Sequence, residues 1–191
     1  MRSQSLQPGK APATRGMTPI EPAVQASSAG DDIRQFITFT VGHEEYGVGI
    51  LAVREIRGWT PENKLPNLPP HVRGIINLRG TIIPILDLRA RFGGGMTEAT
   101  KTHVVVVIQV GETARGLLVD AISDILTISR DQIRPVPAME TGEEHAEYLT
   151  GLFTVEQRMV TLLDVARLFA RDVIAIEHAA GDSGEATDAA H

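Results

Sequence analysis

The sequence contains no cysteine. Disulfides, thiolate nucleophiles and cysteine-ligated zinc are therefore excluded, and the chain suits a reducing, cytoplasmic setting. Aromatic residues make up only 4% of the 191 residues, and the formal net charge is −6. A nucleic-acid binder needs a basic face and stacking aromatics, and an anionic membrane needs a basic patch. The rival reading, a small-barrel nucleic-acid-binding protein, meets neither condition. No apolar run reaches the ~18 residues that span a bilayer. The N-terminus lacks the apolar segment of a secretory signal. Arg2, Lys10 and Arg15 precede the first acid, Glu21, as in a transit peptide. The apolar residues there show no helical period, so a plain disordered extension is preferred.

Local signatures of catalysis are missing as well. No two of His43, His71, His103, His145, His178 and His191 lie at i, i+2 or i, i+4, so the usual local metal pattern is absent. His103 reads as a strand-end residue. Gly93-Gly94-Gly95 follows a short helix, whereas a phosphate loop precedes one and carries Lys with Ser or Thr. Glu44-Glu45 and Glu143-Glu144 fall in predicted turns and read as solvated faces. No cofactor or metal is expected.

What the chain does have is 42% hydrophobic residues, enough for a real core. Residues 1–33 and 179–191 are polar and of low complexity, and cannot bury enough surface to offset their ordering entropy. Between them, "QFITFTV" (35–41) alternates, with Ile37, Phe39 and Val41 on one face. "EYGVGI" (45–50) alternates with Tyr46, Val48 and Ile50 inward.

The core is internally repeated. Residues 41–56 align with 110–125 without gaps, matching Gly47 to Gly116, Val53 to Ile122 and Ile56 to Ile125. Residues 74–92 align with 151–169, matching Gly74 to Gly151, Asp87 to Asp164 and Phe92 to Phe169. The extra length of the second copy falls around 139–148. Each copy reads as five short strands, with a Pro-containing loop at 65–70 or 133–137. Each closes on an Asp that suits the N-cap of a short helix. Five strands per copy predict one small barrel per copy, two barrels side by side and a groove between them.

In "GIINLRGTIIPILDL" (74–88) a polar knot, Asn77 to Gly80, parts two apolar runs. Arg79 at its centre is either a solvated turn residue or a fixed contact. Its rigid fork of donors suits a carboxylate, and Glu55, flanked by apolar residues in "VREIRG", is a plausible partner. Trp59 either packs beside "LPNLPP" or stands as an exposed anchor.

These same stretches, with "EEYGVGILAVREIRG" (44–58), "RGLLVDAISDIL" (115–126) and "EYLTGL" (147–152), resemble the bacterial chemotaxis coupling proteins of the CheW family. The resemblance covers about 35–175. It implies two five-stranded SH3-like barrels, a non-enzymatic adaptor, and two partners: chemoreceptor signalling tips and the regulatory domain of a CheA-type histidine kinase. Carried over by position, it implies a receptor-facing set of Val53, Glu55, Ile56, Gly74, Asn77, Arg79, Val104, Gly116, Ile122 and Ile125. The kinase would sit on barrel-end surfaces. Val53 and Ile56 with Ile122 and Ile125 would then form an apolar cleft with one wall from each copy, suited to an amphipathic helix.

The domain boundaries are expected at 1–33, 34–178 and 179–191. Limited proteolysis should trim the tails and leave a core near 34–178. Unfolding on removal of 1–33 would contradict this division.

Overall fold

The structure is a computed structural model and describes residues 32–137 and 146–170. Most of the two expected tails, and most of the 139–148 insertion with Glu143 and Glu144, lie outside the described residues.

Ten strands form two sheets. In chain order they are β1 (Ile33–Val41), β2 (Glu44–Gly49), β3 (Val53–Gly58), β4 (Val72–Leu78), β5 (Thr81–Asp87), β6 (Val104–Val110), β7 (Thr113–Val119), β8 (Ala121–Ser129), β9 (Leu149–Val155) and β10 (Arg158–Leu163). Helix α1 (Leu88–Arg91) follows β5, and α2 (Val165–Ala170) follows β10. The expected strands, helices and duplication are present, but Ile50, expected inward on a strand, instead opens a 3-10 turn and is half-buried.

Their assembly differs from one barrel per copy. Sheet A runs β8-β1-β2-β10-β9 and sheet B runs β3-β6-β7-β5-β4. Replacing each strand by its repeat mate turns one order into the other. Each sheet thus joins the first hairpin of one copy to the last three strands of the other. Each exchanged hairpin is held on both sides, by the parallel pairings of β2 with β10 and β5 with β7 and by the antiparallel pairings of β1 with β8 and β3 with β6. Hydrophobic alternation reports which face of a strand is buried, but not which neighbour it pairs with, so this exchange was not legible.

Three apolar clusters explain the alternation. Phe36, Ile128, Phe153, Val160 and Leu162 fill the inside of sheet A. Ile128 lies on one edge strand and Phe153 on the other, so the sheet curls into a small barrel. Ile76, Ile83, Ile85, Val105, Val107, Ala114 and Leu118 fill sheet B. The third cluster is shared: Ile37, Phe39, Val41 and Val48 from sheet A meet Leu86, Val106, Ile108, Leu117 and Val119 from sheet B. Leu88 of α1 and Leu168 and Phe169 of α2 complete it. Strands β1 and β6 are therefore buried on both faces, which is why "HVVVVIQV" is continuously apolar.

The matched glycines have matched causes. At Gly74 (φ 151°) a Cβ would strike the backbone of Asn63, whose loop bridges to Ile75. At Gly151 it would strike Ile133 and Arg134, whose loop bridges to Leu152. Each Pro-containing loop crosses its strand at the one residue type that leaves room.

Both aspartates are caps. Asp87 accepts from Ala90 N–H at 3.1 Å, and Asp164 from Arg167 N–H at 3.0 Å. Asp87 does more, because it is fully buried. It accepts from Thr97 N–H and Oγ1, both at 2.8 Å, and from Arg73 Nη1 at 3.1 Å. Arg73 also lies 5.0 Å from the Trp59 ring centre, so Trp59 is a packing residue of sheet B. Glu45 corrects an expectation. It is neither in a turn nor solvated: its side chain is 9% exposed in β2 and takes two bonds from Arg158, at 3.0 and 3.1 Å.

The two caps should separate in denaturant melts. Asp164→Ala is expected to cost about 1 kcal/mol. Asp87→Ala also leaves the Thr97 N–H and Oγ1 donors without their acceptor and Arg73 with Glu62 as its carboxylate partner, and should cost more, about 1–3 kcal/mol for each buried donor left unpaired. Equal losses would contradict the buried network.

Candidate interaction surface

The surface is built where β3, an edge of sheet B, meets the β4–β5 turn. In that turn Asn77 Oδ1 accepts from Gly80 N–H at 2.8 Å. This bond helps hold Arg79 at φ 51° and Gly80 at φ 88°. A left-handed Arg is uncommon, and here it carries the side chain out of the hairpin. The side chain is 84% exposed, and its Nη2 lies 3.6 Å from Glu55 Oε2. The expected Glu55–Arg79 pair is thus present. An ion pair this exposed contributes between zero and about 1 kcal/mol to folding, so stability does not account for Arg79.

The four apolar candidates share a geometry. Val53 is opposite Ile108 and Ile56 opposite Val106 in sheet B. Ile122 is opposite Phe39 and Ile125 opposite Ile37 in sheet A. Directly paired residues share a sheet face, and all four partners belong to the shared core. Val53 and Ile122 pack against that core, while Ile56 is 42% and Ile125 52% exposed. Repeat mates therefore hold equivalent places on the two barrels: Val53 and Ile122 are partly covered, and Ile56 and Ile125 are open.

The remaining candidates are not surface contacts. Val104 is half-buried against the shared core, opposite Gly58 and Val119. Gly74 is buried beneath the Asn63 loop. Gly116 is buried in β7, where a Cβ would collide with Ile85 and Val105. These positions shape the surface from below.

Sequence reasoning missed a cavity beside Arg79. It measures about 290 Å³ and opens at the end of barrel B. Leu78, Ile83, Val107 and Ala114 form its apolar wall, with Arg54, Glu55, Arg79 and Thr81 around it. Leu51 is 98% exposed and was also missed. No local signal marks either feature.

The CheW-like domain family profile matches residues 35–173. The chain is 42% identical over 147 residues to the probable chemotaxis protein CheW of Rhizobium etli, covering 77% of this chain and 93% of that one. It is 39% identical over 155 residues to the chemotaxis protein CheW of Klebsiella aerogenes, covering 81% and 93%. Among solved structures it is similar to the scaffolding protein TtCheW of Thermoanaerobacter tengcongensis, with a TM-score of 0.66 and 30% identity, covering 71% and 92%.

Substitution should sort the candidates by stability. Ile56→Ser and Arg79→Glu are expected to leave the melting midpoint nearly unchanged. Gly116→Ala should cost about 1–3 kcal/mol through overpacking. A large loss at Ile56 or none at Gly116 would contradict these placements.

Proposed function

The chain belongs to the CheW-like family, and on that premise we propose that it is a non-enzymatic adaptor. In this reading it couples chemoreceptor signalling tips to the regulatory domain of a CheA-type histidine kinase. The description of a similar structure as a scaffolding protein supports the class.

The observation that carries the receptor half is Arg79. A cation held out by a left-handed turn, tethered to one carboxylate and 84% exposed, adds little to folding and is free to meet a partner. Glu55 orients it, and Asn77 and Gly74 support the hairpin that presents it. Ile56 and Ile125, with Val53 and Ile122 below them, offer an apolar track to one face of a receptor helix. Val104 and Gly116 fix the strands behind that track.

Capture of a chemoreceptor cytoplasmic fragment tests this reading. Arg79→Glu should keep its circular dichroism and melting midpoint while binding the receptor about tenfold more weakly, a loss of about 1.4 kcal/mol. The exchange Glu55→Arg with Arg79→Glu should recover part of the loss. Kinase capture should survive both changes. A folded Arg79→Glu chain that binds the receptor as tightly as the wild type would overturn the assignment.

A further inference from the structure

The internal repeat supplies a comparison for the cavity beside Arg79. Each residue lining the mouth of barrel B has a mate at the mouth of barrel A. Arg54, Glu55, Val107 and Ala114 correspond to Ser123, Asp124, Thr38 and Glu45 at the first repeat spacing. Leu78, Arg79, Thr81 and Ile83 correspond to Val155, Glu156, Arg158 and Val160 at the second. The strand registers agree: Glu55 lies opposite Val107, and Asp124 opposite Thr38. The turns agree too, since Arg79 and Glu156 have φ of 51° and 48°.

Two substitutions separate these equivalent ends. In barrel A, Arg158 reaches Glu45 and forms a two-bond ion pair with a side chain that is 9% exposed. In barrel B the same two positions are Thr81 and Ala114. These small side chains cannot form the pair, and about 290 Å³ stands open over Leu78, Ile83 and Val107. The rims also differ in charge. Exposed Arg54 and Arg79 flank Glu55 at the open mouth, whereas Asp124 and exposed Glu156 stand at the closed one. In a chain of net charge −6, the open mouth is a local cationic site with an apolar floor.

We propose that the mouth of barrel B is a socket for one bulky apolar side chain of the receptor helix, flanked on that helix by a carboxylate that meets Arg54 or Arg79. This deepens the adaptor reading and rests on it. Filling the mouth removes water from Leu78 and from the incoming side chain, which then packs on Ile83 and Val107, themselves only 1% exposed. The two guanidinium groups select an acidic neighbour and disfavour a basic one. The shared apolar track orients the helix, and the socket fixes its register by accepting a single side chain.

The chain carries its own control, because barrel A shows how such a mouth is closed. The full chain bearing Thr81→Arg with Ala114→Glu, which copies the Arg158–Glu45 pair, would be titrated with a chemoreceptor cytoplasmic signalling fragment from the same genome. Thr81→Phe, at an exposed rim position, is the second blocking variant and leaves the core untouched. Arg54→Ser, the barrel A residue, tests the charge. Both blocking variants should bind the fragment at least tenfold more weakly while remaining folded; variants that keep the receptor and lose the kinase would give this barrel end to the kinase and overturn the socket. Arg54→Ser should flatten the salt dependence of binding, which the wild type shows as affinity falling when salt shortens the screening length. Blocking variants that are folded and bind like wild type would overturn the socket while leaving the adaptor reading in place. A wild-type chain that fails to bind any receptor fragment would overturn both.

Discussion

The structure depends on the exchange of hairpins between its two halves, held by the parallel pairs β2–β10 and β5–β7 and the antiparallel pairs β1–β8 and β3–β6. Each exchange sets a hairpin from one half of the chain among three strands from the other, so neither half can complete a barrel alone. The shared core follows from this. Ile37, Phe39 and Val48 can meet Val106, Ile108 and Leu117 because the exchange sets β1 and β6 back to back. The two barrels therefore form one cooperative body, and strands β3 and β8 hold fixed places on it.

Much of this was legible because the physics is local. The alternation of 35–41 reported the buried face of β1, and the matched pairs Gly74/Gly151 and Asp87/Asp164 reported loop crossings and helix caps. The Glu55–Arg79 pair was also legible, since a carboxylate amid apolar strand residues needs a partner within reach. Strand exchange was not, because both pairings bury the same faces. Glu45 was misread because its partner, Arg158, lies 113 residues away in the chain. The cavity beside Arg79 was missed because it is made by what Thr81 and Ala114 lack, and an absence has no motif.

Duplication explains how such a surface can arise without weakening the fold. Two equivalent barrel ends need only shared backbone geometry to remain folded. Barrel A closes its end with Arg158 and Glu45, and barrel B keeps small residues at the matching places. The same divergence separates the rim charges at Arg79 and Glu156, although both turns keep the left-handed backbone. Folding constrains the turn and leaves its charge free for partner choice.

The proposed role is to place a histidine kinase under receptor control. The most direct measurement is the autophosphorylation rate of the CheA-type kinase, reconstituted with receptor signalling fragments in the presence and absence of the full chain. The rate should respond to the receptor only when the chain is added, and the chain alone should transfer no phosphate. A kinase rate that is the same with and without the chain, at concentrations where all three components are folded, would contradict it.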